Sequence, residues 1–317
     1  MNTPLPHSTI TQKSTTVRTR PPAAPRTARR AHWLVRRCPR LGALVLAELC
    51  MAPRTRKAPF TAQFGATHTE VRIGRRRVRV HAYGEGPLVL LVHGWQGGAS
   101  QLSTLAAFVC AAGFRVALFD MPAHGEAPGW STNAPEFVRI LERVARELGP
   151  VHAVIGHSLG GTAALLCAAR GLRTSGVVAL SPVPSFEFAM RSYARAFGLS
   201  PGVKELLARR FEARTRTRRG DLDLDGVQPR VPTLLVHDLL DRSVPSRYSR
   251  QLKARWPGSH LIETCGFGHG RMLDADLVAQ SVVAFLATLP GASEHEPTLD
   301  VTTEAIASKP DDSTGTV

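Results

Sequence analysis

Acidic residues are almost missing from the first sixty positions of this 317-residue chain, where twelve Lys and Arg stand against Glu48 alone. A segment so charged and so rich in proline and threonine, "STTVRTRPPAAPRTARR", has too little apolar surface to build a core. Residues 1–60 are therefore expected to form a basic, largely disordered arm. Aromatic residues are scarce as well, at 6% of the chain, and Trp33 alone stands among those arginines, short of the repeated interleaving that a nucleic-acid-binding segment would require. No nucleic-acid partner is expected.

A long apolar run is also lacking. Leu41 to Met51 is too short to span a bilayer and contains Glu48, which excludes a transmembrane helix there. Arg36 and Arg37 precede that run, but Pro39 interrupts it and no A-x-A site follows, so export is not expected. The stretch 31–51 instead predicts an amphipathic helix lying on the domain, with Leu34, Leu41, Leu44 and Leu46 as its stripe. The five cysteines are scattered without a CxxC pair, which argues against a disulfide framework and for a reducing, cytoplasmic setting. No H-x-x-x-H spacing or other zinc-ligand pattern occurs, so no metal and no cofactor are expected. Residues 291–317 reverse the charge of the arm, with six acids against Lys309, and read as an acidic disordered tail.

Between these ends, residues 61–290 alternate regularly. "THTEVRIGRRRVRVHAY" predicts a hairpin, and "LVLLVHG", "RVALFD", "VHAVIG", "GVVALSP", "PTLLVHD" and "SHLIET" are continuous apolar strands, as when both faces of a sheet are covered. Amphipathic segments such as "APEFVRILERVARELG" and "DADLVAQSVVAFLATL" lie between them and predict helices. Strand and helix alternating in this way imply an α/β fold with a mostly parallel, doubly wound sheet, whose ligands bind at the carboxyl ends of the strands. Residues 183–230 break the rhythm with two helical stripes, from Phe186 to Phe197 and from Val203 to Phe211. An insertion at that edge predicts a short helical cap over the site.

The strongest motif is G-H-S-L-G, which places Ser158 between Gly156 and Gly160 at a strand-to-helix junction. Only glycines leave room for a serine held on so sharp a turn. A serine hydroxyl is a weak nucleophile until an imidazole takes its proton. His269 in "TCGFGHGRML" has the loop and the position to do so, whereas His93, His152 and His237 belong to strands or their ends, and His157 is expected to point away along the turn. Two acids, Asp238 and Asp241 in "VPTLLVHDLLDRSVP", follow the strand that precedes that of the histidine loop. "HGWQGG" has neither G-x-G-x-x-G spacing nor G-K-[ST], so nucleotide binding is not expected. Asp120 reads as a loop-fixing residue.

"HGWQGG", "DMPAHGEAPG", "GHSLGG", "DRSVP" and "GFGHG", in that order, resemble the landmarks of the α/β-hydrolase superfamily over roughly residues 67–290. They look most like its small-cap serine esterase and lysophospholipase-like branch. The resemblance implies a Ser-Asp-His triad of Ser158, Asp241 and His269, with Asp241 in the D-x-x-V-P setting and Asp238 where relatives often carry glycine. It also implies an oxyanion hole made by the backbone N–H groups of Trp95 and Leu159. The expected function is hydrolysis of a small-molecule acyl ester with an apolar group. The alternatives are acyl transfer or perhydrolysis on the same fold, or a binding protein that keeps the fold without turnover. The Arg209 to Arg219 cluster is a candidate receiver of an anionic head, although such a cluster is more often a solvated face.

Overall fold

The structure, a computed structural model, describes residues 10–11, 37–53 and 66–291. The acidic tail from 292 and most of the basic arm lie outside the described residues. One sheet gathers the strands Ile10–Thr11 (β1), Thr67–Ile73 (β2), Arg76–Tyr83 (β3), Leu88–Val92 (β4), Arg115–Phe119 (β5), Val151–His157 (β6), Thr174–Leu180 (β7), Thr233–Asp238 (β8) and Ser259–Cys265 (β9). Their order is β1-β9-β8-β7-β6-β4-β5-β3-β2. Only the β2–β3 and β3–β5 pairings are antiparallel, so the expected mostly parallel α/β sheet is what forms.

Strands β4, β6 and β8 are buried along their whole length, which explains why their sequences are continuous apolar runs and do not alternate. Two apolar layers cover the sheet. One packs Phe119, Phe137, Ile140 and Leu141 with the helix Leu159–Ala169, and the other packs Leu102, Leu105, Leu118 and Ile155 with Val282 and Leu286. The helices in chain order are Pro39–Cys50 (α1), Ser103–Ala111 (α2), Ala134–Leu148 (α3), Leu159–Ala169 (α4), Phe186–Phe197 (α5), Pro201–Thr215 (α6), Arg247–Arg255 (α7), the single turn Gly268–Arg271 (α8) and Asp276–Ala287 (α9).

Helices α5 and α6 occupy the stretch between β7 and β8, at the carboxyl edge of the sheet. The Ser185 side chain caps the start of α5 by accepting from the Phe188 amide, and Gly198 ends that helix at φ 59°, where a side chain would be strained. Phe186 and Phe211 hold the two helices together with ring centroids 4.7 Å apart. Helix α1 lies on this pair: Leu46 and Ala47 pack with Val203 and Leu207, and Tyr193 donates to the Leu46 carbonyl at 3.2 Å. The buried stripe of α1 differs from the expected one. Ala43, Leu46 and Ala47 are buried, whereas Leu41 and Leu44 are 51% and 38% exposed, because the helix turns Leu46 and Ala47 toward Val203 and Leu207 of α6. Leu34 lies outside the described residues.

Candidate active site

Ser158 stands between β6 and α4 at φ 53°, ψ −118°, a backbone region that costs a non-glycine residue about 1–3 kcal/mol. The flanking glycines explain how the turn closes. A Cβ on Gly156 would lie 2.3 Å from the Gly160 carbonyl, and one on Gly160 would lie 2.3 Å from the Val92 carbonyl. The first glycine thus lets α4 fold back on its own strand, and the second lets α4 rest on β4.

His269, the second residue of α8, brings its Nε2 to 3.1 Å from Ser158 Oγ. Its Nδ1 lies 2.7 Å from Asp241 Oδ2. The structure therefore brings Ser158, His269 and Asp241 into one hydrogen-bonded line drawn from three different loops. Asp241 is 6% exposed. Burial works against its ionisation, yet hydrogen bonds from His237, His269 and the Val244 amide outweigh it and hold the carboxyl well below the usual range. The Ser243 and Val244 amides both donate to Asp241 Oδ1, at 2.8 and 2.9 Å, which leaves Oδ2 for the His269 imidazole, with His237 Nε2 3.4 Å from the same oxygen.

Asp238 does different work three residues earlier. Its Oδ1 accepts from the Leu240 amide at 2.9 Å, and its Oδ2 accepts from the Thr264 hydroxyl at 2.9 Å and from the Phe267 amide at 3.0 Å. It ties the end of β8 to the loop that carries His269 and does not touch the imidazole. His157 departs from expectation. Rather than pointing away, its Nε2–H donates to the His269 carbonyl at 2.9 Å, and the two rings lie 4.7 Å apart. Burial above all pushes His157 down to about 3, so it is a neutral brace under the histidine loop.

The loop after β4 lies against the serine, since a Cβ on Gly94 would come 2.8 Å from Ser158 Cβ. Among the described residues no acceptor meets the Trp95 amide. Leu159 is the first residue of α4, so its amide has no intrahelical acceptor. Two buried histidines that the motifs alone did not explain hold this loop in place. His93 Nε2 accepts from the Met121 amide at 3.0 Å while its Nδ1–H donates to the Gly94 carbonyl at 2.8 Å. His124 Nε2 accepts from the Gln96 amide at 3.1 Å while its Nδ1–H donates to the Pro122 carbonyl at 3.1 Å. Asp120 completes the clamp by accepting from Ala99 and Glu126 amides at 2.7 and 2.9 Å.

The acceptor nitrogens require both rings to be neutral, and burial pushes both His93 and His124 down to about 4. Histidine in the unfolded chain titrates near 6.5, so unfolding takes up protons between that value and about 4. The sign follows: the stability contributed is complete above pH ~6.5 and is lost as pH falls toward 4, by up to about 1.4 kcal/mol per pH unit for each ring. Urea midpoints measured from pH 7.5 down to 5 are expected to fall, and to fall less steeply in His124→Gln. An equal slope in both proteins contradicts the assignment.

Comparisons with known proteins agree with this architecture. The sequence model of the alpha/beta hydrolase family matches residues 89–281. Protein phosphatase methylesterase 1 of Rattus norvegicus is 34% identical over 110 residues, which are 31% of this chain and 28% of that protein. The chain thus spans well under half the length of the first curated relatives it matches. A pimeloyl-[acyl-carrier protein] methyl ester esterase of Xanthomonas oryzae is 26% identical over 256 residues, covering 67% of this chain and 100% of that protein. In fold, an esterase of Pyrococcus furiosus superposes with a TM-score of 0.59 at 18% identity, over 74% of this chain and 96% of that one. An esterase from Exiguobacterium antarcticum gives 0.55 at 18% identity, over 70% of this chain and all (100%) of that one. By its sequence and its sheet, the chain belongs to the alpha/beta hydrolase family.

Proposed function

We propose that the chain is a serine esterase working through an acyl-enzyme. Ser158 Oγ attacks the ester carbonyl as His269 Nε2 takes its proton, and Asp241 holds the imidazole in the required tautomer and stabilises its cation. The Trp95 and Leu159 amides receive the negative charge on the carbonyl oxygen, where each donor is worth about 3 kcal/mol in the transition state. His269 then protonates the leaving alcohol, and water, activated by the same imidazole, releases the acid and restores Ser158.

The observation that carries this reading is the line of contacts from Asp241 to His269 at 2.7 Å and from His269 to Ser158 at 3.1 Å. A base in reach of the hydroxyl and an orienting acid behind it are what acyl transfer to serine needs. A cavity of about 40 Å³ beside Leu159, lined by Val138, Ala163, Leu166, Val183 and Phe186, gives a small apolar group a place next to the nucleophile. The relatives named above are methyl esterases by name, so methyl esters head the substrate panel.

The test is labelling with a fluorophosphonate probe. Wild-type protein is expected to be modified at Ser158 and Ser158→Ala to remain unlabelled. A folded wild type that resists the probe and hydrolyses no ester removes the esterase reading and leaves a binding role on the same fold.

A further inference from the structure

A cavity of about 760 Å³ opens between α5, the start of α6 and the turn that follows Asp241. Five cations line it: Arg191, Arg195, Lys204, Arg242 and Arg247. Glu187 pairs with Lys204 and, at 3.4 Å, with Arg191. For Arg195, Arg242 and Arg247 no carboxylate lies within ion-pair distance among the described residues. Arg247 lies over the Tyr248 ring at 4.9 Å, and Tyr248 meets Phe188 edge-on at 5.1 Å, so the guanidinium has an aromatic support within the cavity wall.

Three of the arginines singled out in the sequence, from Arg209 to Arg219, are in a different state. Arg209 pairs with Glu205, and Arg219 with both Glu205 and Glu212. Arg214 pairs with Glu48 of α1, so these three lie against carboxylates, whereas in the cavity Arg195, Arg242 and Arg247 share one concave wall without one among the described residues. Like charges converging on a concave wall raise the local potential and draw an anion to it. Arginine in particular offers a planar fork that matches carboxylate and phosphate oxygens.

The placement links this cavity to the chemistry. Phe188, Arg191 and Arg195 line it from one side of α5, while Phe186 and Ala189 of the same helix line the small apolar cavity beside Leu159. Arg242, Ser243 and Pro245 form its other wall, and they belong to the turn whose Ser243 and Val244 amides hold Asp241. We propose that this cavity binds an acidic group, carboxylate or phosphate, carried by the ester substrate at the end remote from the scissile bond. The proposal rests on the esterase reading and narrows it from esters in general to acidic esters.

The experiment compares a neutral acyl ester with esters of equal length ending in a carboxylate or a phosphate, and reads the acidic-to-neutral ratio of kcat/KM. In the Arg195→Glu/Arg247→Glu double variant that ratio is expected to fall at least about tenfold. In Arg209→Glu, whose arginine lies outside the cavity, it is expected to stay at the wild-type value. Inorganic phosphate is expected to compete with the acidic esters in the wild type and to lose that effect in the double variant. Phosphate that instead changes neutral and acidic turnover alike points to a separate anionic effector and overturns the substrate assignment. An unchanged ratio in a double variant with wild-type circular dichroism overturns it as well. Calorimetric titration of phosphate into the wild type and the double variant needs no turnover. If no ester is hydrolysed and Ser158 resists the fluorophosphonate, the esterase reading has failed by itself, and equal or absent phosphate binding in the two proteins removes the cavity's role independently.

Discussion

Ser158→Ala, His269→Ala and the double variant are expected to hydrolyse the best ester at one common residual rate, about 10⁶-fold below the wild type. The equality is the informative part. With His269 removed, the Ser158 hydroxyl keeps its proton and attacks poorly; with Ser158 removed, the imidazole has no nucleophile to activate. Each loss disables the same step, so the second costs nothing further. What survives is binding plus the two backbone donors, worth about 10³–10⁴ over the reaction in water. Single-turnover assays on protein freshly purified from wild-type contamination check this. A His269→Ala enzyme within a few tens of the wild-type rate, or a double variant far below either single one, breaks the unit apart.

Most of the scaffold of that unit is legible in the sequence, and for a physical reason. A strand covered on both faces is apolar along most of its length, so "LVLLV" and the "LLV" of "TLLVHD" announce β4 and β8 without any alternation. Gly156 and Gly160 announce the turn under Ser158 because any Cβ there meets backbone at 2.3 Å. Helix α1 is harder to read. Its leucines suggest a stripe, and Leu46 is indeed fully buried against α6, yet Ala43 and Ala47 are buried beside it while Leu41 and Leu44 face outward. A hydrophobic pattern registers size and cannot register how near the neighbouring helix comes.

The histidines mark a second limit. His93, His124 and His157 are all buried and all hydrogen-bonded to backbone groups of the nucleophile's surroundings, but each bond spans loops that only the fold brings together. His93 reaches Met121 and His124 reaches Gln96 across 28 positions, and His157 reaches His269 across 112. A ring that braces and a ring that moves protons are the same residue in a sequence. Partners separate them: His93, His124 and His157 meet backbone groups, whereas His269 has Asp241 on one nitrogen and Ser158 on the other; His237, fully buried, hydrogen-bonds to Ser249 and the Val244 carbonyl and lies 3.4 Å from Asp241.

The same distinction governs the two acids of "VHDLLDRSVP". Asp241→Asn is expected to lower kcat by about 10⁴-fold, because an amide in place of Oδ2 favours the imidazole tautomer that cannot accept from Ser158 and no longer stabilises the cation that forms. Asp238→Asn acts through position alone. It sets an amide N–H₂ against the Thr264 hydroxyl and the Phe267 amide, or else against the Leu240 amide, and so loosens the loop that presents His269. A displacement of about 1 Å there costs on the order of 10²-fold in rate. The pH profiles separate the two. With Asp241 intact the imidazole keeps its charged neighbour, so Asp238→Asn should lower the whole kcat curve without moving it, whereas Asp241→Asn should also displace a limb of the curve along the pH axis. Hydrogen bonds outweigh burial and hold the Asp241 carboxyl far down, so the acid stays ionised across the wild-type profile. A displaced limb in Asp238→Asn together with an unmoved one in Asp241→Asn would exchange the two roles.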